Sequence, residues 1–317
     1  MFQSPRDRPW ARFSFLIFHL SFLSCISGCQ SPPAENASSV QVLFGEQGLG
    51  NGQFSYPRAI AISPIDGHVV VCDKTARIQR FDPDGRFEAV WRMPEWEFGK
   101  PTGMAFDMNG LLWVADTHYN RVIVYDRNGE EQFRFGKYGQ GPGEFIFPTS
   151  VAWDPDGNIY VGEYGGNDRI SKFSPDRKFL MSFGTKSSGD VALERPTQIK
   201  FDPRGFLWVS DGCHHRICRF STDGKLLGSF GRPGSGPGEM NYPYDLDLVP
   251  GTTHIVVTEH GNNRISEFDD QGRLVRWWGK PGRDRGEIMQ PWKAQFGRNG
   301  LLYIVDAWNN RVQAVRW

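Results

Sequence analysis

The 317-residue chain has no apolar run long enough to cross a bilayer as a helix: its longest, Phe13–Ile26, falls short of the ~20 residues a span needs. It also lacks net charge. Its 36 lysines and arginines match its 36 aspartates and glutamates, which argues against a generally basic nucleic-acid-binding surface, though not against a local patch. Cysteine is scarce, with five residues and no C-x-x-C pair. Neither G-x-S-x-G nor H-E-x-x-H occurs, so the familiar serine-hydrolase and zinc-peptidase signatures are absent.

Glycine, by contrast, is plentiful, and the chain repeats. The stretch 101–136, PTGMAFDMNGLLWVADTHYNRVIVYDRNGEEQFRFG, holds four short β-type runs separated by the turn signals DMNG, THYN and DRNG. This is the pattern of a four-stranded antiparallel meander. Such a sheet cannot bury both faces alone. Its neighbours are in the sequence, because Pro57, Pro101, Pro148, Pro196, Pro243 and Pro291 each open a copy, 44 to 48 residues apart. A period near 45 residues with four strands per unit predicts an all-β, six-bladed β-propeller. A chain of this length would otherwise suggest two domains; the repeats make it one.

Val40–Gly45, VQVLFG, matches the fourth strands of the repeats but has no repeat of its own, while the last repeat stops after three strands. The N-terminal strand is therefore expected to complete the last blade and close the ring. The Gly-rich segments 48–54, 139–145 and 234–240 recur at repeat spacing without Gly-Lys-Ser/Thr or a following helix, so they read as blade crossovers and not phosphate loops. Asp82–Gly85 and Asp154–Gly157 lack the further ligands of a calcium loop and read as β-turns.

Each copy carries an acid and an arginine flanking one turn: Asp73/Arg77, Asp116/Arg121, Glu163/Arg169, Asp211/Arg216, Glu259/Arg264 and Asp306/Arg311. Six similar pairs point to a structural ring, since a catalytic site needs asymmetry around the circle. Together with P-x-x-[AIVL]-x-[FVI]-[DS] and segments such as VADTHYNRVIVYD and VTEHGNNRISEF, these pairs resemble NHL repeats, from Val40 to Trp317. Glu163 and Glu259 depart from the usual aspartate, and the turn DKTAR is one residue short.

The resemblance implies a non-enzymatic binding or sensor propeller. Its recognition surface should lie where the copies differ, in the turns after the second strand and just after the opening prolines. Arg58, His118, Tyr164, His214, His215, Tyr244, His260, Trp292 and Trp308 are thus expected to form a rim at the channel mouth that suits a protein, peptide or glycan. The ubiquitin-ligase role of some eukaryotic relatives finds no RING-type array here.

The alternative is a metal-dependent lyase or hydrolase. VSDGCHH is similar to a stretch of peptidyl-hydroxyglycine amidating lyases, which place zinc-binding histidines in Pro-His steps. Here those steps read PR, PT, PT, PT, PY and PW. No cofactor is expected, with zinc at His118, His214 and His260, or calcium, as the secondary reading. Cys213 and Cys218 leave disulfide, free thiols and metal open, and Cys72 is expected at a buried strand end.

At the N-terminus, Arg6, Arg8 and Arg12 precede the apolar run, and Ile26-Ser-Gly-Cys29 is similar to a bacterial lipobox. The expected organisation is a lipoprotein-type signal peptide over 1–28, a flexible tether over 29–39 with Cys29 lipidated, and the propeller over 40–317. The expected molecule is exported, monomeric and anchored to a bacterial membrane by lipid alone. Without residues 1–28 the chain holds 33 basic against 35 acidic residues. No nucleic-acid partner is expected.

Overall fold

The computed structural model describes residues 39–97 and 101–317. The signal peptide, Cys29 and nearly all of the tether lie outside the described residues.

After β1 (Val40–Phe44), blade one is β2 (Pro57–Ile62), β3 (Val69–Asp73), β4 (Arg77–Phe81) and β5 (Phe87–Arg92). Blade two is β6 (Gly103–Phe106), β7 (Leu112–Asp116), β8 (Arg121–Tyr125) and β9 (Glu131–Phe135). Blade three is β10 (Pro148–Trp153), β11 (Ile159–Glu163), β12 (Arg169–Phe173) and β13 (Phe179–Phe183). Blade four is β14 (Pro196–Phe201), β15 (Leu207–Asp211), β16 (Arg216–Phe220) and β17 (Leu226–Phe230). Blade five is β18 (Pro243–Leu248), β19 (Ile255–Glu259), β20 (Arg264–Phe268) and β21 (Leu274–Trp278). Blade six is β22 (Pro291–Phe296), β23 (Leu301–Asp306) and β24 (Arg311–Arg316), with β1 as its outer strand.

The six-bladed propeller read from the repeats is the observed fold, including its closure. β1 pairs antiparallel with β24, Phe44 opposite Val312 and Val40 opposite Val315. Trp278 Nε1 of blade five donates to Ser39 Oγ at 2.8 Å, tying the entry to β1 against its neighbour.

Burial grades outward as the sequence patterns require. Second strands such as VVVCD are buried at every position, because both sheet faces pack on neighbouring blades. Outer strands such as FEAVWR alternate half-buried with exposed, because the blades splay apart there. The core is correspondingly divided into six clusters, each shared by two adjacent blades. One joins Ile78 and Cys72 of blade one to Val114 and Ile123 of blade two; another joins Val69 and Val71 of blade one to Tyr303 and Val305 of blade six. Glycine at the ends of the outer strands is dictated by space as well as backbone. Gly136 has φ +90°, and a Cβ there would strike the ring of buried Phe145.

Candidate functional site

All six ring acids are fully buried, and each is bonded to its arginine, with Glu163 Oε1 accepting from Arg169 Nε at 2.9 Å. The arginines then reach the Gly-rich crossovers. Arg169 donates to the carbonyl oxygens of Gln140 and Glu144, and Arg264 to those of Ser235 and Glu239. The acids also accept backbone N–H groups two residues ahead of the opening prolines: Ser55 on Asp73, Ile146 on Glu163, Glu194 on Asp211 and Met289 on Asp306. A crossover rich in glycine has few side chains of its own to hold it, and these charges supply the missing partners. Burial pushes Asp116 up to about 6 despite the opposing pull of Arg121.

A second regular device joins successive blades. Tyr56, Phe147, Arg195, Tyr242 and Gln290, each just before an opening proline, have left-handed backbones with φ between 45° and 59°. Their N–H groups donate to the preceding blade's turn, onto Asn310 Oδ1, Asn120 Oδ1, Asp168 Oδ1, His215 Nδ1 and Asn263 Oδ1 respectively. Such backbones cost roughly 1–3 kcal/mol each unless surrounding bonds hold them. Among these residues Arg195 lines the channel mouth, and the Tyr56 ring meets Trp292 there.

The predicted rim gathers there. Arg58, His118, Tyr164, Tyr244 and Trp292, from five different blades, line a single cavity of about 150 Å³ together with Arg195 and three threonines. Tyr244 stacks on Trp292 at 4.9 Å and on His260 at 4.6 Å. Trp308, half exposed, meets Tyr56 edge-on at 6.3 Å, and Tyr56 meets Trp292 at 6.4 Å. His215 sits on Tyr242 at 4.7 Å, but its ring nitrogen is occupied by the inter-blade bond, so it stands where other blades use asparagine.

His214 does not join them. Its Nδ1 is 2.8 Å from Asp211 Oδ2 and its Nε2 is 3.4 Å from Glu194, drawing the ring to the outer side of the turn. The three histidines considered for zinc therefore do not converge, and among the described residues no group of three or more His, Cys, Asp or Glu side chains is placed to hold a metal ion. Burial, with Arg195 and Arg58 adding to it, pushes His260 down to about 4, so it is neutral near pH 7. Cys213 and Cys218 are both free thiols, Cys218 buried opposite Val209, and Cys72 is buried in β3. Cys213 lies in the turn ahead of β16 and Cys218 within that strand.

Arg195, Tyr56, Tyr242 and Phe147 were not among the residues singled out in the sequence. The signal was present, one position ahead of the opening prolines, where the copies differ as much as they do one position after.

The floor of the mouth is Lys293. Its Nζ bonds Asp245 Oδ1, Gln198 Oε1 and the Thr197 carbonyl oxygen, spanning three blades. Burial pushes Asp245 up to about 6, against the attraction of Lys293, and pushes Lys293 down. Asp245 and Asp247 also accept the N–H groups of Ala294 and Phe296, while Gln295 accepts that of Ile62. These bonds satisfy the channel-side edges of first strands, which have no strand partner on that side. Beyond Lys293 lies a larger cavity of about 750 Å³, also missed in the sequence. Its wall is mixed, with Ile60, Met104, Trp153 and Leu246 beside polar Gln198, Lys200, Asp247 and Gln295, and Lys200 is ion-paired to Asp247.

A known family described as a 6-bladed beta-propeller matches residues 94–174. The chain is similar to NHL-repeat propellers. NHL repeat-containing protein 3 of Homo sapiens is 24% identical over 226 residues, 62% of each chain. Peptidyl-glycine alpha-amidating monooxygenase B of Xenopus laevis is 33% identical over 119 residues, 36% of this chain and 13% of that protein. Protein brain tumor of Drosophila melanogaster is 28% identical over 116 residues, and the chain covers 11% of it. The chain thus spans only a small part of these last two relatives. Among solved structures, a streptogramin B lyase superposes with a TM-score of 0.60 at 16% identity, covering 85% of this chain and 95% of that one. Virginiamycin B lyase from Staphylococcus aureus gives a TM-score of 0.58 at 16% identity, over 86% of this chain and 94% of that one. These likenesses are of fold.

Proposed function

We propose that the propeller is a binding scaffold or sensor module that seats a protein, peptide or glycan at its channel mouth, held at a bacterial envelope by a lipid on Cys29. The observation that carries this reading is convergence: five rim side chains from five blades line one cavity, with Tyr244 and Trp292 stacked in its wall and His260 against Tyr244. Aromatic rings fixed by stacking give a large contact area at little entropic cost, which is what a recognition surface needs. A metal-dependent lyase or hydrolase on the same propeller is less well supported, because His214 is held outside the mouth by Asp211.

The test is binding of the chain to peptide and glycan arrays, beside the double variant Tyr244→Ala, Trp292→Ala. The reading expects features bound by the wild type to be lost in the variant while circular dichroism shows the variant still folded. Equal binding by both proteins would overturn it.

A further inference from the structure

Two arginines at the mouth cavity, Arg58 and Arg195, have no ion-pair partner among the described residues. Arg58 lies with its guanidinium carbon 4.7 Å from the Trp292 ring centre and 5.3 Å from that of Tyr56. Arg195 lies 5.0 Å from Tyr164 and 5.3 Å from Tyr244. Since Tyr244 and Trp292 are themselves stacked, the two guanidiniums flank one aromatic pair. Among the described residues neither has an ion-pair partner, in contrast to the ring arginines, all six of which are bonded to buried acids. Arg58 Nε is buried and makes no hydrogen bond at all. Burial pulls the Arg58 guanidinium below the ordinary value, and the titratable groups that act on it are tyrosines and a second cation. Among the described residues the other lysine or arginine lining the cavity, Lys293, is already taken by Asp245.

A buried donor without an acceptor costs about 1–3 kcal/mol, and more when charged. Arg58 with this orphaned donor, and Arg195 beside it without an ion-pair partner among the described residues, mark a place for an acceptor. The free Nε belongs to the edge of the guanidinium that pairs with a planar carboxylate in a two-point fork. A cavity of about 150 Å³ admits an acid group and little else. Around it the rings of Tyr244, Trp292 and Tyr56 offer apolar faces for whatever carries that group.

We propose that the mouth recognises a carboxylate of a peptide, either its C-terminal group or an acidic side chain, placed between Arg58 and Arg195 with the adjoining residue against Trp292. This rests on the mouth being the binding site and names the chemistry it selects. The hydrogen-bonded fork favours the flat carboxylate over a tetrahedral anion, and the aromatic wall favours a peptide side chain; an acidic sugar is the competing ligand.

The experiment is titration of the protein with an N-acetylated Gly-Phe dipeptide having a free carboxylate, the same dipeptide as its amide, glucuronic acid, glucose and inorganic phosphate. Calorimetry and tryptophan fluorescence are the readouts, with Arg58→Gln, Arg195→Gln and Trp292→Ala beside the wild type. Saturable binding of the free dipeptide, at least tenfold weaker for the amide and weakened about tenfold by either arginine variant, is expected; tenfold corresponds to about 1.4 kcal/mol. Equal affinity for acid and amide, with the arginine variants unaffected and Trp292→Ala impaired, overturns the carboxylate while leaving the mouth a binding site. Preference for glucuronic acid or phosphate, lost in the arginine variants, overturns the peptide in favour of that anion. Binding unaffected by all three variants overturns both this inference and the location it rests on. No binding of any probe overturns the carboxylate, and the arrays above then judge the mouth.

Discussion

Lys293 Nζ lies 3.1 Å from Asp245 Oδ1 at the channel axis, and both side chains are buried. Removing one partner strands the other. Lys293→Met is expected to cost about 3–5 kcal/mol, the usual penalty for an uncompensated buried charge. Adding Asp245→Asn should recover part of the loss, since an amide oxygen still accepts the Ala294 N–H. Urea denaturation of the two single variants and the double variant measures both. Additive losses would show that the two groups do not depend on each other.

The acid–arginine pairs should separate sharply from ordinary surface pairs. Arg169→Ala leaves Glu163 buried and frees the crossover carbonyl oxygens of Gln140 and Glu144, and is expected to cost about 3–5 kcal/mol. The exposed pair Arg86–Asp82 provides the comparison: Arg86→Ala should leave the melting temperature nearly unchanged. Thermal melts of the two variants side by side check this.

His260 gives a pH dependence whose sign follows from its depressed value. It protonates near 4 in the folded chain but near 6.5 when unfolded, so the unfolded state binds more protons between those limits. Its contribution is fully present above pH 6.5 and is lost as pH falls towards 4. Because the ring is partly exposed, about 1–2 kcal/mol is the expected size. His260→Phe keeps a ring on Tyr244 without the titration, so the melting-temperature gap between wild type and variant should shift against the wild type across that window. A gap independent of pH would contradict the depressed value.

His215 occupies a left-handed turn position where three other blades use asparagine, and its ring nitrogen accepts the Tyr242 N–H. His215→Asn is expected to be neutral or slightly stabilising, because asparagine tolerates that backbone and offers an acceptor. His215→Ala loses the acceptor and should cost about 1 kcal/mol. Array binding of the asparagine variant should match the wild type if His215 serves the latch alone.

The repeats made blade number, strand order and closure legible, because a period in turn residues and β-branched runs is a local signal. The rim was legible in part. Arg58, Tyr244 and Trp292 stand beside the opening prolines, and position in the repeat was enough to bring them to the mouth. Arg195 was missed because the residue before a proline is ordinarily extended, and the left-handed turn that aims it inward depends on a bond to Asp168 in the preceding blade. His214 was grouped with the rim by its turn, yet Asp211, three residues earlier, decides its direction. The larger cavity went unseen although its signal was plain: Lys200, Asp245, Asp247 and Lys293 interrupt first strands that are otherwise small and apolar. Only pairing across blades makes charges at those positions tolerable, and pairing between repeats is not written in any one of them.

The pairing of β1 with β24 also fixes an order of events. During synthesis β1 leaves the ribosome before any blade exists, and its partner is the last strand made. Five blades can each form from contiguous chain, but the sixth joins segments some 270 residues apart, the most expensive loop to close and the latest. Until then β1 is an apolar strand without a mate and the growing solenoid has two open edges. Without β24, β1 would have no mate and the five contiguous blades would form an arc with unpaired edges, so ring closure waits on this one strand.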